Sequence, residues 1–215
     1  MLPRAVAAPE GKPVRPEAAD NQRLMAQILG DSSCWTPKLA KFTTQVFDAM
    51  AENWVDERGG YRAAPLVDAL DRGRPPSIGR CLEIGSGTGV LTPYLQELWA
   101  DIVCVDLSME MMSRRLMGRQ VQADASRLPF PDGSFDVVVI GDAPLFATEM
   151  VRVLSPRGTL VWSNALGQGA PYYVPAVDLW DALVRAAPHS KWSAAESEAL
   201  WGSWVVFKRS QVEFA

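Results

Sequence analysis

Short apolar runs and helical patterns alternate along most of the chain. From residue 80 onward, the apolar runs are separated by segments in which apolar residues recur every three or four positions. The runs predict buried parallel strands, and the segments between them predict helices with one buried face. The predicted strands are 80–84, 102–106, 119–123, 135–140, 159–163 and 204–208, and the predicted helices are 89–99, 109–117, 146–154 and 174–186. This alternation predicts an α/β fold built on a doubly wound, mostly parallel sheet.

The part of the chain before the predicted sheet has helical patterning only. A helix is predicted from about residue 20 to Gly30, where glycine would allow a left-handed cap, and a second from residue 37 to about 54. A third is predicted around 66–70, before a linker with two prolines. We therefore divide the chain into a disordered, proline-containing tail at 1–19, a helical segment at 20–75 and a sheet domain at 76–215.

The C-terminal edge of the predicted sheet has one clear strand. After the last predicted helix, only Trp204-Val205-Val206-Phe207-Lys208 has a strand pattern. Sheets of this kind commonly end in an antiparallel pair, so the sequence leaves open a truncated C-terminal edge.

Composition narrows the choice of partner and location. With 21 basic and 25 acidic residues the formal charge is −4, which favours a small-molecule partner over nucleic acid. Three cysteines, two of them in predicted core strands, argue against a disulfide framework and for a reducing, cytoplasmic location. No apolar stretch approaches the roughly 18 residues that cross a bilayer, so we expect no membrane insertion. The oligomeric state is left open.

A glycine-rich segment follows the first predicted strand. Residues 82–89 read Leu-Glu-Ile-Gly-Ser-Gly-Thr-Gly, and Asp106 closes the next strand. Such a loop presents N–H groups to a carboxylate, and an acid at the adjacent strand end can grip a ribose diol. A dinucleotide fingerprint needs a glycine in the sixth position, which here is Val90. The glycine loop and Asp106 therefore point to S-adenosylmethionine (SAM). Glu83 is placed either to organise the amino end of SAM or to bond the loop backbone.

Four ordered segments give the chain a family resemblance. They are 82–89, 106–112, 124–136 and 152–158. In this order and spacing they resemble the class I SAM-dependent methyltransferases, in particular methyltransferase type 11 and the small-molecule branch that includes the ubiquinone and menaquinone biosynthesis enzymes. The resemblance implies a Rossmann-like fold, a transferase activity of class EC 2.1.1, SAM as cofactor with S-adenosylhomocysteine (SAH) as product, and a lid formed by the helical segment 20–75.

The same resemblance implies a set of cofactor contacts at strand ends and in the loops that follow them. The positions that would line the methionine part and the methyl group are Gly85, Ser86, Gly87, Thr88, Gly89 and Gly141. Asp106 would bind the ribose hydroxyls, and Leu107 with Met111 would pack on adenine. Asp124 would accept from the adenine amino group, next to the Ala125 backbone N–H. Two alternatives stay open, namely Met111 as core filler and Asp106 as a helix N-cap.

Candidates for the acceptor side lie outside those motifs. Asp142 follows the fourth strand and is the candidate catalytic or acceptor-orienting group. Trp54, Tyr172 and Tyr173 are the candidates for contact with an acceptor. A pocket lined by such rings suits an apolar or aromatic molecule. Ordinary core packing of these rings is the alternative. The lone His189 is assigned no catalytic role, and no metal site is predicted.

Three functions remain open on this sequence. The first is a small-molecule methyltransferase, the second a non-catalytic SAM-binding partner protein, and the third an NAD-dependent oxidoreductase. The glycine spacing and Asp124-Ala125 favour the first over the third. Turnover separates the first from the second, and the methyl acceptor with its attacking atom is not identified.

Overall fold

The computed structural model describes residues 1–8, 10–11, 18–54, 60–114 and 118–211. These residues fold around one seven-stranded sheet. Its strands are β1 (Arg80–Ile84), β2 (Asp101–Asp106), β3 (Arg119–Gln122), β4 (Phe135–Gly141), β5 (Leu154–Asn164), β6 (Ser190–Ala199) and β7 (Gly202–Gln211). Their order is β3-β2-β1-β4-β5-β7-β6. The pairs from β3 to β5 are parallel, and β7 runs antiparallel to both β5 and β6.

Helices precede the sheet and connect its strands. The α-helices are α1 (Ala18–Gly30), α2 (Pro37–Met50), α3 (Ala64–Gly73), α4 (Thr92–Gln96), α5 (Met109–Ser113), α6 (Ala147–Val153) and α7 (Ala176–Ala186). Short 3₁₀ helices cover Ser32–Cys34, Ala51–Asn53, Gly60–Ala63 and Gly167–Gly169. The start of α2 is set by Thr36, whose side chain accepts from the Leu39 N–H at 3.2 Å, and by Pro37 in the first turn.

Helices cover the sheet on both faces, which explains the continuous apolar runs of its central strands. On one face, α1, α6 and α7 pack against alternate side chains such as Leu82 and Val138. On the other face, α3 and α4 pack against Cys81, Val137 and Trp204. Strands that are covered on both sides need apolar residues at successive positions. The predicted doubly wound, mostly parallel sheet is therefore confirmed.

The C-terminal edge of the sheet is complete rather than truncated. β7 pairs with β5, and β6 adds an edge strand that the sequence did not predict. Ser190–Ala199 is polar and alternates little between apolar and polar positions, because much of this edge faces solvent. β5 is also longer than predicted, since it begins at Leu154 before a register shift relative to β4.

Several helix ends differ from the predicted ones. α4 covers Thr92–Gln96 rather than 89–99, because the preceding loop contains glycines with positive φ that a helix does not adopt. α1 ends at Gly30 without a left-handed cap, and the Asp31 N–H continues the helical pattern by donating to the Gln27 carbonyl at 2.8 Å. The predicted end of α5 falls on residues 115–117, which lie outside the described ranges.

α3 belongs to the layers that cover the sheet, although the sequence grouped it with the N-terminal helices. Leu66 and Ala69 are fully buried against the sheet. Asp68 accepts from Trp204 Nε1 at 2.6 Å and from Arg72 Nε at 2.7 Å. The predicted boundary between residues 75 and 76 therefore cuts through one packed unit.

The first residues of the chain lie along the β6 edge. The Leu2 N–H donates to the Glu196 carbonyl at 2.7 Å, and the Leu200 N–H donates to the Val6 carbonyl at 3.1 Å. The disorder predicted for residues 1–19 therefore does not apply to 1–8, while residues 9 and 12–17 lie outside the described ranges. Within those ranges, no helix has the length and apolar character needed to cross a membrane.

Candidate active site

A cavity opens at the carboxyl ends of β1, β2 and β4, where the strand order changes direction. It encloses about 880 Å³, including space open to solvent. Ligands of open parallel sheets bind at such a switch point. Nine of the predicted cofactor residues line it, namely Gly85, Ser86, Gly87, Asp106, Leu107, Met111, Asp124, Ala125 and Gly141. The structure thus brings together residues from the ends of four different strands.

The glycine loop shapes the floor of this cavity, and its N–H groups are engaged inside the protein. Gly85 has a φ of 72°, and a Cβ at this position would lie 2.7 Å from the nearest side chain. The N–H groups of Gly85 and Ser86 donate to the Val105 carbonyl at 2.9 and 3.1 Å. The Gly87 N–H donates to Asp106 Oδ2 at 2.7 Å. The sequence had suggested that these N–H groups face a ligand carboxylate. In the structure all three instead face neighbouring strand ends.

Asp106 is the carboxylate at the centre of this cavity. Besides Gly87, it accepts from the Ser108 N–H, at 2.8 Å to Oδ1. Burial raises the pKa of Asp106, backbone N–H groups oppose the shift, and the charge of Asp48 adds to it. Each carboxylate oxygen has a second lone-pair position, so Asp106 keeps the capacity to accept from ligand hydroxyl groups.

Asp124 is joined to the N-terminal part of the chain by a tryptophan. Trp35 Nε1 donates to both carboxylate oxygens of Asp124, at 3.0 and 2.9 Å. The ring of Trp35 also meets Phe146 edge-on, with centroids 5.5 Å apart. Trp35 lies just before α2, and no local signal in the sequence marks it as a site residue.

Three predicted cofactor residues do not line the cavity. Glu83 is 1% exposed and accepts from Thr92 Oγ1 at 2.6 Å, so it fastens the start of α4 to the end of β1. Thr88 and Gly89 lie in the same loop, away from the cavity wall. Neither role that the sequence suggested for Glu83 follows from this contact, because its partner here is a side chain of α4.

A second cavity of about 760 Å³, including space open to solvent, adjoins the first. It is lined largely by apolar side chains from α2 and from the segment after β5. Five residues border both cavities, and we call them the junction: Phe47, Trp54, Arg62, Asp142 and Tyr172. The junction therefore contains three of the sequence candidates for the acceptor side, together with Phe47 and Arg62, which the sequence did not single out.

Asp142 and Arg62 form an ion pair in the junction. Asp142 has a φ of 49°, and its Oδ2 accepts from Arg62 Nη2 at 2.7 Å. Its Oδ1 accepts from the Ala165 N–H at 3.1 Å. The guanidinium carbon lies 4.7 Å from the Trp54 ring centroid. The exposed fraction is 14% for the Arg62 side chain and 19% for that of Asp142, so the pair is shielded from bulk water.

Phe47 and Tyr172 form the aromatic wall of the junction. Their rings stack with centroids 6.3 Å apart, and Phe47 meets Trp54 edge-on at 5.6 Å. Burial raises the pKa of Tyr172 far above its ordinary value, and two nearby carboxylates add to the shift. Tyr172 is therefore a neutral phenol near pH 7, not a proton acceptor.

Other residues considered from the sequence lie elsewhere. Tyr173 does not line either cavity and packs edge-on against Trp162, with centroids 6.4 Å apart. His189 is likewise remote from both cavities. Met112 is 2% exposed within the core, whereas Met111 reaches the cofactor cavity. Residues 55–59, which follow Trp54, lie outside the described ranges.

Comparison with known proteins identifies relatives through the sheet region. Residues 82–162 match the family model described as a methyltransferase domain. A demethylmenaquinone methyltransferase of Beutenbergia cavernae is 39% identical over 112 residues, which cover 47% of this chain and 45% of the relative. A demethylmenaquinone methyltransferase of Roseiflexus castenholzii is 31% identical over 144 residues, covering 56% and 59%. The chain spans about half the length of the curated relatives it matches.

Solved structures share the fold at low sequence identity. The complex of DhpI with SAH superposes with a TM-score of 0.65 at 18% identity, over 80% of this chain and 97% of that chain. A SAM-dependent methyltransferase of Aquifex aeolicus gives 0.55 at 16% identity, over 75% and 97%. These similarities confirm the Rossmann-like fold. The chain thus shares its fold with SAM-dependent methyltransferases, and its residues 82–162 match a methyltransferase domain.

Proposed function

We propose that this protein transfers a methyl group from SAM to a small apolar or aromatic molecule. The observation that carries the proposal is the junction, where a cavity with carboxylates at strand ends meets a second, largely apolar cavity. A methyltransferase needs two ligands side by side with their reacting atoms at the shared boundary. The two cavities provide that arrangement.

The residues of the first cavity fit SAM. The carboxylate of Asp106 has unfilled acceptor positions for ribose hydroxyls. The carboxylate of Asp124 has unfilled acceptor positions for an adenine amino group. Leu107 and Met111 supply apolar surface between these two carboxylates. A Cβ at Gly85 would lie 2.7 Å from the Ala143 Cβ, so the glycine lets the loop pack closely against the segment after β4. We assign the cofactor contacts to these residues and to their neighbours in the cavity wall.

The protein contributes mainly alignment and shielding to the transfer. Bound SAM supplies an activated methyl group whose C–S bond breaks as the acceptor attacks from the opposite side, leaving the electron pair on sulfur. Alignment of two bound reactants supplies roughly 7–11 kcal/mol of such a barrier. The rings of Phe47, Trp54 and Tyr172 hold the acceptor at the junction and exclude water, while the ion pair of Asp142 and Arg62 supplies the polar contacts there.

We further propose that the lid consists of α2 and the 3₁₀ helix Ala51–Asn53 rather than the whole segment 20–75. No residue of α2 is fully buried, although Phe47 borders both cavities. Asp48 of α2 accepts from Ser108 Oγ beside the cofactor cavity. A helix held by few buried contacts can open for ligand exchange at low cost.

The acceptor and the location of the protein are proposed on separate grounds. The aromatic walls of the junction and the names of the demethylmenaquinone methyltransferases among the relatives both support a ring-containing acceptor. A cytoplasmic location is supported by three cysteines that form no disulfide, all within the described ranges. Nucleic acid is not proposed as a substrate, because the net charge is −4.

Incubation with SAM labelled at the methyl group and a small-molecule cell extract tests the proposal. We expect label in a low-molecular-weight organic product, at a level that the Asp106→Ala variant does not reach. Binding of SAM without transfer of label would favour the non-catalytic alternative. Binding of NAD without binding of SAM would favour the oxidoreductase.

A further inference from the structure

The junction contains one carboxylate, that of Asp142, and this carboxylate is held in an ion pair with Arg62. Both oxygens of Asp142 already accept hydrogen bonds, from Arg62 Nη2 at 2.7 Å and from the Ala165 N–H at 3.1 Å. Tyr172 is a neutral phenol. The remaining two rings of the junction, Phe47 and Trp54, have no basic group. An acceptor that arrives already ionised would need no base from the junction.

Arg62 has hydrogen-bond donors to spare at this position. A guanidinium carries five N–H donors, and Arg62 uses one of them on Asp142. The guanidinium carbon lies over the Trp54 ring at 4.7 Å from its centroid, a contact that uses none of the N–H donors on an acceptor oxygen. The described protein groups supply no other hydrogen-bond acceptor to Arg62, and its side chain borders both cavities.

A guanidinium with unused donors is matched by an oxygen that carries negative charge. Hydrogen bonds between charged partners are about twice as strong as neutral ones, and shielding from water strengthens them further. The ion pair with Asp142 fixes one edge of the group, so its remaining donors have a defined direction. Trp54 and Phe47 beside it provide flat apolar surface.

From these observations we propose that the acceptor is an aromatic or conjugated oxyanion, a molecule with an acidic phenol, enol or carboxyl group that binds in its ionised form to Arg62. This inference rests on the proposed function and names its substrate class. The anion supplies the electron pair of the new bond to the methyl group, the C–S bond breaks with its pair kept on sulfur, and no proton has to be removed. Arg62 thus selects the acceptor by charge, and Asp142 positions Arg62.

Calorimetric titration of the SAH-loaded protein with two matched probes tests the proposal. The probes are 2-naphthoate, which is an anion at pH 7.5, and 2-naphthamide, which has the same ring frame without the charge. We expect 2-naphthoate to bind about 10-fold or more tightly than the amide. Arg62→Gln should lower the affinity for 2-naphthoate far more than the affinity for the amide, which removes the preference, and Arg62→Lys should keep part of it.

The Asp142→Asn variant tests the role of the ion-pair partner of Arg62. Asn tolerates the left-handed backbone of this position and keeps an oxygen for the Ala165 N–H. Because the variant removes the carboxylate that positions Arg62, we expect the preference for 2-naphthoate over the amide to fall several-fold. An ion pair with only a structural role would leave that preference unchanged.

The outcomes separate this inference from the function on which it rests. If SAH binds and 2-naphthoate has no preference over the amide, or if Arg62→Gln keeps the preference, the inference is wrong and the proposed function stands. If neither probe binds to the SAH-loaded protein, the inference is also wrong. If SAH itself fails to bind, the proposed function fails, and the inference fails with it.

Discussion

The two ends of the site are built in different ways. The proposed cofactor end consists of the loop after β1 and the carboxylates at the ends of β2 and β3, all within residues 82–162. The acceptor end combines Phe47 and Trp54 from the N-terminal helices, Arg62 from a 3₁₀ helix and Tyr172 from beyond β5. The cofactor end is fixed by strand ends of a buried sheet, whereas the acceptor end depends on how separate surface segments pack together. A substitution at one end is therefore expected to leave the other end largely intact.

The largest effect that distinguishes the two ends is expected from Asp106→Ala. The change removes the acceptor of two backbone N–H groups and of the proposed ribose contacts. Since hydrogen bonds to a charged group contribute about 1.5–3 kcal/mol each, SAH binding should weaken by roughly 100-fold or more in a calorimetric titration. The matched change at the acceptor end, Tyr172→Phe, should leave SAH affinity within about 3-fold. Equal losses in both variants would contradict the separation of the two ends.

The floor of the cofactor end is tested by a pair of glycine variants. Gly85→Ala puts a side chain at a φ of 72° and 2.7 Å from a neighbouring Cβ. The left-handed backbone alone costs an alanine about 1–2 kcal/mol, so the free energy of unfolding should fall by at least that much in a urea titration. Gly141→Ala meets only the flexible end of Leu91 and has no positive φ, so its loss should be smaller. If Gly141→Ala lowered the free energy of unfolding more than Gly85→Ala does, the glycine loop after β1 would not be the more tightly constrained of the two positions.

The connection between the two ends is tested by Trp35→Phe. Phenylalanine keeps the contact with Phe146 but removes the N–H that donates to both oxygens of Asp124. We expect the free energy of unfolding to fall by about 1–2 kcal/mol, measured by urea denaturation. Trp180→Phe is the control, because the indole N–H of Trp180 has no partner among the described residues and its loss should cost less. Equal costs for the two variants would mean that the bond to Asp124 does not stabilise the fold.

The smallest effect is a change in the pH dependence of cofactor binding. Asp106 binds hydroxyl groups best as a carboxylate, so SAH affinity should fall as the pH falls through its pKa, which burial raises and the charge of Asp48 raises further. Asp48→Asn removes that charge and keeps an oxygen for Ser108. The pKa of Asp106 should then be lower, and SAH binding should persist to lower pH. A pH profile that is identical in both proteins would contradict the coupling of α2 to the cofactor end.

Sequence patterns were informative where structure and chemistry are local. The parallel strands, the glycine loop and Asp106 lie close together in the chain, and each has its own signal in residue type and spacing. Nine of the twelve predicted cofactor residues line the cavity for that reason. Glu83 does not, because an acid at a strand end serves equally well to hold the hydroxyl of Thr92.

Contacts between distant parts of the chain carried no comparable signal. Arg62 and Asp142 are 80 positions apart, and Trp35 and Asp124 are 89 apart, so neither pair produces a local pattern. The strand β6 was missed because a polar edge strand lacks apolar alternation. α3 was grouped with the lid because its periodicity predicts a buried face without saying which surface covers it.

A crystal structure of the protein with bound SAH tests the two-ended site most directly. We predict that the ribose of SAH contacts Asp106 and that its sulfur faces the junction of Phe47, Trp54, Arg62, Asp142 and Tyr172, with the second cavity beyond it. SAH bound with its sulfur directed away from the junction, or bound elsewhere on the protein, would contradict this arrangement.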